Sequence, residues 1–317
     1  MTYREFLERK IRLAHGKGFA VDASRVNPLL KPHQRDIVLW ALAGGLRAIF
    51  AAFGLGKSFI QLEIMRLVQE REGGRQLIIA PLGVRPDMLA DAAKLGIPMD
   101  FVRRTEEVSG PGLYMTNYES VRDGKLSVDL FNAVSLDEAS VLRSYGSLTF
   151  HTFLTLFTGV RYRFVATATP SPNRYKELIH YAGFLGIMDT GQALTRFFQR
   201  DSQKANNLTL YPHKEREFWL WVNSWAVFLQ KPSDLGYSDE GYDLPKLHVH
   251  FHQVAADSGP VMDRDGQFKL VGDAALSLRD ASREKRASLP SRIAKMLEIV
   301  QAEPEEHCII WHDQEAE

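Results

Sequence analysis

The sequence predicts an α/β fold, a doubly wound parallel sheet with a helical, aromatic-rich insertion and the truncated beginning of a second unit. Three observations carry this expectation. Short apolar runs alternate with segments of helical spacing along the first half of the chain. A glycine-rich stretch joins the first of those runs directly to a helical pattern, and the polar motifs fall at the ends of the runs, where open α/β sheets hold their ligands. A chain of 317 residues, 45% apolar and 25% charged, is long enough to build about two such domains.

The elements follow in order. Residues 1–26 read as a basic leading helix: Tyr3, Phe6, Leu7, Ile11 and Ala14 recur at helical spacing among Arg4, Arg9, Lys10 and Arg12, and Gly16-Lys17-Gly18 stops the pattern. Its charged face is expected to be solvated rather than a DNA contact. Pro28 to Gln34 leads into a helix from Arg35 through Leu42 that ends near Gly44-Gly45. Strands are expected over Ala48–Ala51, Leu77–Ala80, Tyr114–Thr116, Ala133–Leu136 and Phe164–Ala168, with helices between them.

From about residue 171 to 247 the pattern shifts to helices carrying Phe197, Phe198, Phe218, Trp219, Trp221 and Trp225, an aromatic stripe that reads as core rather than as a base-stacking platform. Residues 256–290 are polar and poorly periodic, with Arg279, Arg283, Lys285 and Arg286 clustered, and read as a linker. Ile293 to Val300 resumes a helix, and Cys308–Trp311 is expected to open a new strand. The organisation expected is thus a leading segment, a first lobe over 27–255, the linker, and the start of a second lobe over 291–317.

Charge and cysteine content narrow the function. Lys+Arg and Asp+Glu are both 39, so any nucleic-acid contact must come from local patches rather than a global basic field. One cysteine, Cys308, excludes a disulfide framework or a cysteine zinc site within the chain. No run approaches a membrane span, and Met1-Thr2-Tyr3-Arg4-Glu5 lacks the apolar core of a secretory signal, so a cytoplasmic protein with no membrane partner is expected.

The chemistry concentrates in two motifs. Ala51-Ala52-Phe53-Gly54-Leu55-Gly56-Lys57-Ser58 follows a strand and opens a helix. Gly54 and Gly56 let backbone N–H groups, including that of Leu55, turn toward an anion; Lys57 supplies a point charge for phosphates, and the Ser58 hydroxyl can ligate Mg²⁺. Ala51 stands where the general pattern has its first glycine, and a Gly-rich turn capped by Ser58 is the alternative. Asp137-Glu138 ends the run Ala133–Leu136; two carboxylates can divide the work, Asp137 in the metal shell and Glu138 orienting and deprotonating a water. The competing reading is an acidic pair that caps the following helix. His248, His250 and His252 alternate and would share one face of a strand, but with no evident fourth ligand they read as an exposed face.

Six segments in order resemble superfamily 2 helicases: Leu30-Lys31-Pro32-His33-Gln34, Gly54 to Ser58, Ile79-Ala80-Pro81, Met115-Thr116-Asn117-Tyr118-Glu119, Asp137-Glu138-Ala139-Ser140 and Thr167-Ala168-Thr169-Pro170. The set is most similar to the Swi/Snf-like DNA translocases, and among them to the compact forms carried by phages and prophages. The resemblance implies a RecA-like lobe that uses ATP and Mg²⁺, moves along duplex DNA without sequence preference, in a bacterial or phage-infected cytoplasm, and works with a second RecA-like lobe. It assigns Gln34 to the adenine edge, Lys57 and Ser58 to phosphate and metal, Asp137 to metal and Glu138 to catalysis. It also implies that Thr167 and Thr169 couple the γ-phosphate site to the track, and that Pro81, Thr116 and Asn117 lie near the strand's phosphates.

The departures are Ser140, where relatives carry histidine or aspartate, Gln230-Lys231 in place of paired arginines, and the absence of the second lobe's arginine-finger segment. Such a finger contributes about 10³ to 10⁵ in rate, so this chain is expected to bind ATP and to hydrolyse it poorly alone. A non-hydrolysing ATP- and DNA-binding clamp, or a phosphate-loop ATPase unrelated to nucleic acid, are the competing functions.

Overall fold

In the computed structural model, which describes residues 13–14, 16–143, 148–171, 174–200, 208–254, 261–262, 268–269, 285–302, 304–305 and 307–311, the apolar runs become strands covered on both faces. Strand β1 (Leu46–Ala51) is buried along its whole length. Ala48 and Phe50 pack into one core and Ile49 and Ala51 into another, which is why the run carries no polar alternation. The same division sorts Leu77 and Ile79 from Ile78 and Ala80 in β2 (Arg75–Ala80).

The sheet has seven strands in the order β3-β4-β2-β5-β6-β1-β9, where β3 is Met99–Phe101, β4 Gly112–Asn117, β5 Ala133–Leu136, β6 Tyr162–Thr167 and β9 Ala226–Leu229. Every pairing within it is parallel. Helices α1 (Pro32–Gly44), α2 (Lys57–Glu72) and α3 (Arg85–Lys94) contribute to the core on one face, through residues such as Val38, Ile64 and Met88. The other core takes α4 (Tyr118–Arg122), α5 (Leu148–Leu156), α6 (Glu177–Leu185), α7 (Thr190–Phe197) and α8 (Glu215–Asn223), through residues such as Val121, Phe153, Phe184, Phe197 and Trp221. This is the expected doubly wound α/β fold.

Within this sheet, two strands go beyond the five expected. At three residues, β3 is too short to carry a periodic signal. Strand β9 was hidden inside the aromatic segment, because Phe218, Trp221, Val222 and Trp225 keep helical spacing across the turn at Ser224. The chain instead leaves α8 there, and Ala226–Leu229 lies beside β1. The aromatic segment is therefore mixed rather than all helical, and it also holds the short antiparallel pair β7 (Phe198–Arg200) and β8 (Leu208–Leu210). Its rings are core, as expected: Phe197 stacks on Trp221 with centroids 5.0 Å apart, and Trp221 meets Trp225 edge-on at 5.4 Å.

By internal contact the chain forms two units, Met1–Asp243 and Leu244–Glu317. The second holds a two-stranded antiparallel pair, β10 (Val261–Met262) with β11 (Phe268–Lys269), and α9 (Leu289–Ala302). The strand expected over Cys308–Trp311 does not form, and the histidines 248, 250 and 252 lie on irregular chain rather than a strand face. A ladder needs a pairing neighbour, and neither segment has one among the described residues. Residues 1–12 and 15 of the leading helix expected over 1–26, and most of the polar linker, lie outside the described residues; the described part of that leading segment is irregular apart from a single 3₁₀ turn at Ala23–Arg25. Among those described, no helix is long and apolar enough to cross a membrane.

Candidate functional site

Strands β5, β6 and β1 are consecutive in the sheet, so their carboxyl ends bring Asp137-Glu138, Thr167 and the glycine-rich loop side by side. The loop turns with Gly54 at φ +81° and Gly56 at φ +77°, and Gly56 is the left-handed residue immediately before α2. No side chain caps this helix start, so its N-terminal N–H groups and dipole point out of the loop. Leu55 is buried in the core beneath, which leaves only its backbone to face a ligand.

Lys57 closes the loop. Its Nζ donates to the carbonyls of Ala51 (3.0 Å) and Ala52 (3.1 Å) and lies 5.2 Å from the Phe53 ring centroid. Burial lowers its pKa, while Asp137 and Glu138 act in the opposite direction. A cavity of about 480 Å³ is lined by Gly54, Gly56, Lys57, Ser58, Asp137 and Glu138, with Pro81 at its edge.

Asp137 is held from several directions. Its N–H donates to Ile79 O at 2.8 Å, its carbonyl accepts from Tyr118 Oη at 2.7 Å, and its Oδ1 accepts from Gln61 Nε2 at 2.8 Å. Burial raises its pKa, the Gln61 bond opposes that, Glu138 adds to it and Lys57 offsets it. Glu138 has φ +47° and is the sole non-glycine residue with positive φ among the described residues. Such a conformation costs about 1 kcal/mol or more, and it turns the carboxylate to where Thr167 Oγ1 donates to Oε1 at 3.1 Å. Thr167 is fully buried and also accepts from the Thr169 N–H at 3.1 Å, so one hydroxyl ties the end of β6 to the acidic pair.

Gln34 lies next to the loop, with its amide already engaged. Nε2 donates to Leu55 O at 3.1 Å and Oε1 accepts from Lys31 N at 2.9 Å. Each amide atom keeps further hydrogen-bonding capacity. Beside it, Lys31 Nζ sits 4.2 Å over the Tyr242 ring, and His33 meets that ring edge-on at 5.5 Å.

Pro81, just past the end of β2, lines the cavity at the loop, whereas Thr116 and Asn117, at the end of β4, do not. Pro81 and Asn117 are half-buried, and Asn117 Nδ2 donates to Glu119 at 2.7 Å. Thr116 is fully buried and its Oγ1 has no partner among the described residues, so that hydroxyl reaches no solvent. Sequence reasoning missed Gln61, Ser135 and Tyr118, which hold Asp137 from behind. A serine inside an otherwise apolar strand, and a glutamine four residues after Lys57 on the same helical face, were the available signals.

No protein-family model matches the chain, and no curated protein does. Solved structures do. The Sulfolobus solfataricus SWI2/SNF2 ATPase core in complex with double-stranded DNA matches over 70% of this chain and 48% of its own, with TM-score 0.56 and 16% identity. The Sulfolobus solfataricus SWI2/SNF2 ATPase core domain matches over 69% of this chain and 48% of its own, with TM-score 0.53 and 16% identity. The UvsW helicase of bacteriophage T4 aligns over 59% of this chain and 66% of its own at 15% identity and TM-score 0.41. The chain thus spans about half the length of the SWI2/SNF2 cores and shares their RecA-like α/β fold.

Proposed function

We propose that this chain is the ATP-binding lobe of a DNA-dependent ATPase of the superfamily 2 helicase and translocase kind, which couples ATP hydrolysis to movement along nucleic acid. The observation that carries the reading is the convergence of the glycine-rich loop, Asp137-Glu138 and Thr167 on three adjacent strand ends, with Thr167 bonded to Glu138. In it, the loop amides and Lys57 hold the phosphates, Glu138 orients and deprotonates the attacking water, and Thr167 with Thr169 passes the state of the site to the rest of the lobe. Gln34 borders the loop where an adenine edge would be read.

The residues present fit Mg²⁺. The donors at the site are the oxygens of Ser58 and Asp137, a hard set suited to a hard cation. Mg²⁺ usually takes one or two protein oxygens and fills its remaining positions with phosphates and water. Bound there, Mg²⁺ would neutralise charge on the transferring phosphate.

DNA as partner is supported by the fold shared with a SWI2/SNF2 core described in complex with double-stranded DNA. The half-buried Pro81 and Asn117 are the solvent-reachable candidates for that contact, and Thr116 is fully buried. Activity of the whole protein would need a second RecA-like lobe. The test is ATP turnover by the natural full-length protein with duplex DNA, single-stranded DNA and RNA in parallel. Stimulation by duplex DNA, with affinity that falls with salt and ignores sequence, supports the motor. Binding of ATP and DNA without turnover would indicate a clamp, and turnover indifferent to every nucleic acid would leave an unrelated ATPase.

A further inference from the structure

Behind the acidic pair lies a three-residue relay that the function above does not use. Ser135, at the centre of β5, donates from Oγ to Gln61 Oε1 at 2.6 Å, and Gln61 donates from Nε2 to Asp137 Oδ1 at 2.8 Å. Gln61 and Ser135 are fully buried, and Asp137 is 8% exposed. The direction of the relay is fixed by chemistry. A carboxylate only accepts, so the amide must turn its N–H₂ toward Asp137 and its oxygen toward Ser135, whose hydroxyl supplies the matching donor.

The arrangement is costly unless it has a use at the site. Gln61 sits on α2 facing the apolar core formed by Ile60, Ile64, Ala133 and Phe164. A buried amide in such surroundings needs both ends satisfied. Satisfying them with one residue of the apolar strand and one carboxylate of the acidic pair links the helix that begins at Lys57 to the strand that ends at Asp137. The backbone of Asp137 is pinned by Ile79 and Tyr118, so what Gln61 adds is control of the carboxylate's rotation.

We propose that Gln61, braced by Ser135, is a positioning residue that orients the Asp137 carboxylate for the divalent cation accompanying the nucleotide, an inference that rests on the nucleotide-site reading above. Groups hydrogen-bonded behind a metal-binding side chain affect metal affinity by about 10- to 100-fold when removed. The metal-free interaction of the loop and Lys57 with phosphates does not pass through the relay, so it should stay as it is.

The test is equilibrium binding of a fluorescent, non-hydrolysable ATP analogue to the full chain, in EDTA and across a Mg²⁺ titration, for wild type, Gln61→Met, Ser135→Ala and the double variant. Gln61→Met should raise the Mg²⁺ midpoint for nucleotide capture about tenfold, with affinity in EDTA unchanged. Ser135→Ala should shift the midpoint the same way by less, and the double variant should be no worse than Gln61→Met alone, since both act through one amide. If Gln61→Met does not fold, Ser135→Ala alone carries the same readout. An unchanged midpoint, or an equal loss in EDTA and in Mg²⁺, overturns the proposal and makes the relay a structural strut. Wild type that captures no nucleotide under either condition removes the nucleotide site itself, and the relay's role with it.

Discussion

Gly56→Ala should damage the loop in a way that Gly54→Ala does not. Both positions have positive φ, +77° and +81°, so an alanine at either pays the left-handed penalty, about 1–2 kcal/mol. They differ in their surroundings. A Cβ on Gly56 would lie 2.2 Å from Gln34 Nε2, whereas a Cβ on Gly54 meets nothing within 4 Å. Gln34 must therefore move, and it then loses its bonds to Leu55 O and Lys31 N. At about 0.5–1.5 kcal/mol net for each bond, Gly56→Ala should cost about 2–5 kcal/mol in all, against about 1–2 for Gly54→Ala. Urea denaturation of the two single variants, of Gln34→Ala and of Gln34→Ala/Gly56→Ala measures this directly. Removing the Gln34 side chain should bring the cost of Gly56→Ala down to that of Gly54→Ala, a coupling of about 1–3 kcal/mol. Equal costs at the two glycines, or no coupling to Gln34, would refute the packing of Gln34 against the loop.

Other outcomes follow from the same geometry. In the natural full-length protein, Glu138→Gln should keep ATP-analogue affinity within a few-fold while turnover falls by about 10²-fold or more, as for loss of a general base; steady-state kinetics beside equilibrium binding separates the two. Tyr118→Phe leaves one fewer donor on the buried carbonyl of Asp137 and should cost about 1–3 kcal/mol in urea denaturation. Glu217 joins α8 to α7 through Arg196 at 2.5 Å and also pairs with Lys214, at the start of its own helix, at 2.7 Å. Burial acts to raise its pKa, but Lys214 and Arg196 outweigh it and the carboxyl stays below its ordinary value. Its contribution is therefore present above the unfolded pKa and lost as pH falls through the lower folded one, so Glu217→Gln should cost about 1 kcal/mol at pH 7 and progressively less as pH falls through that lower value.

The parts of this molecule legible in the sequence are those governed by local rules. Strand β5 was read with its observed ends because Ala133–Leu136 is bounded by a turn and the acidic pair, and the loop was read because glycines, lysine and serine follow one another on the chain. What escaped reading was long-range. Strand β9 reaches its place beside β1 only through the fold, and the relay joins residues 61, 135 and 137, which sequence spacing does not connect. Thr116 shows the converse: its motif was legible, but its burial is set by the helices packed over β4.

Nucleotide capture by Lys57 tests the account most directly. Equilibrium binding of a non-hydrolysable ATP analogue in Mg²⁺, to wild type and to Lys57→Ala, should show saturable capture by wild type and a loss of about 2 kcal/mol or more, roughly 30-fold in affinity, in the variant, on the scale of a charge-assisted phosphate contact. Equal affinity in the two proteins, or no capture by either, would contradict the claim that this loop and the acidic pair beside it form an ATP site.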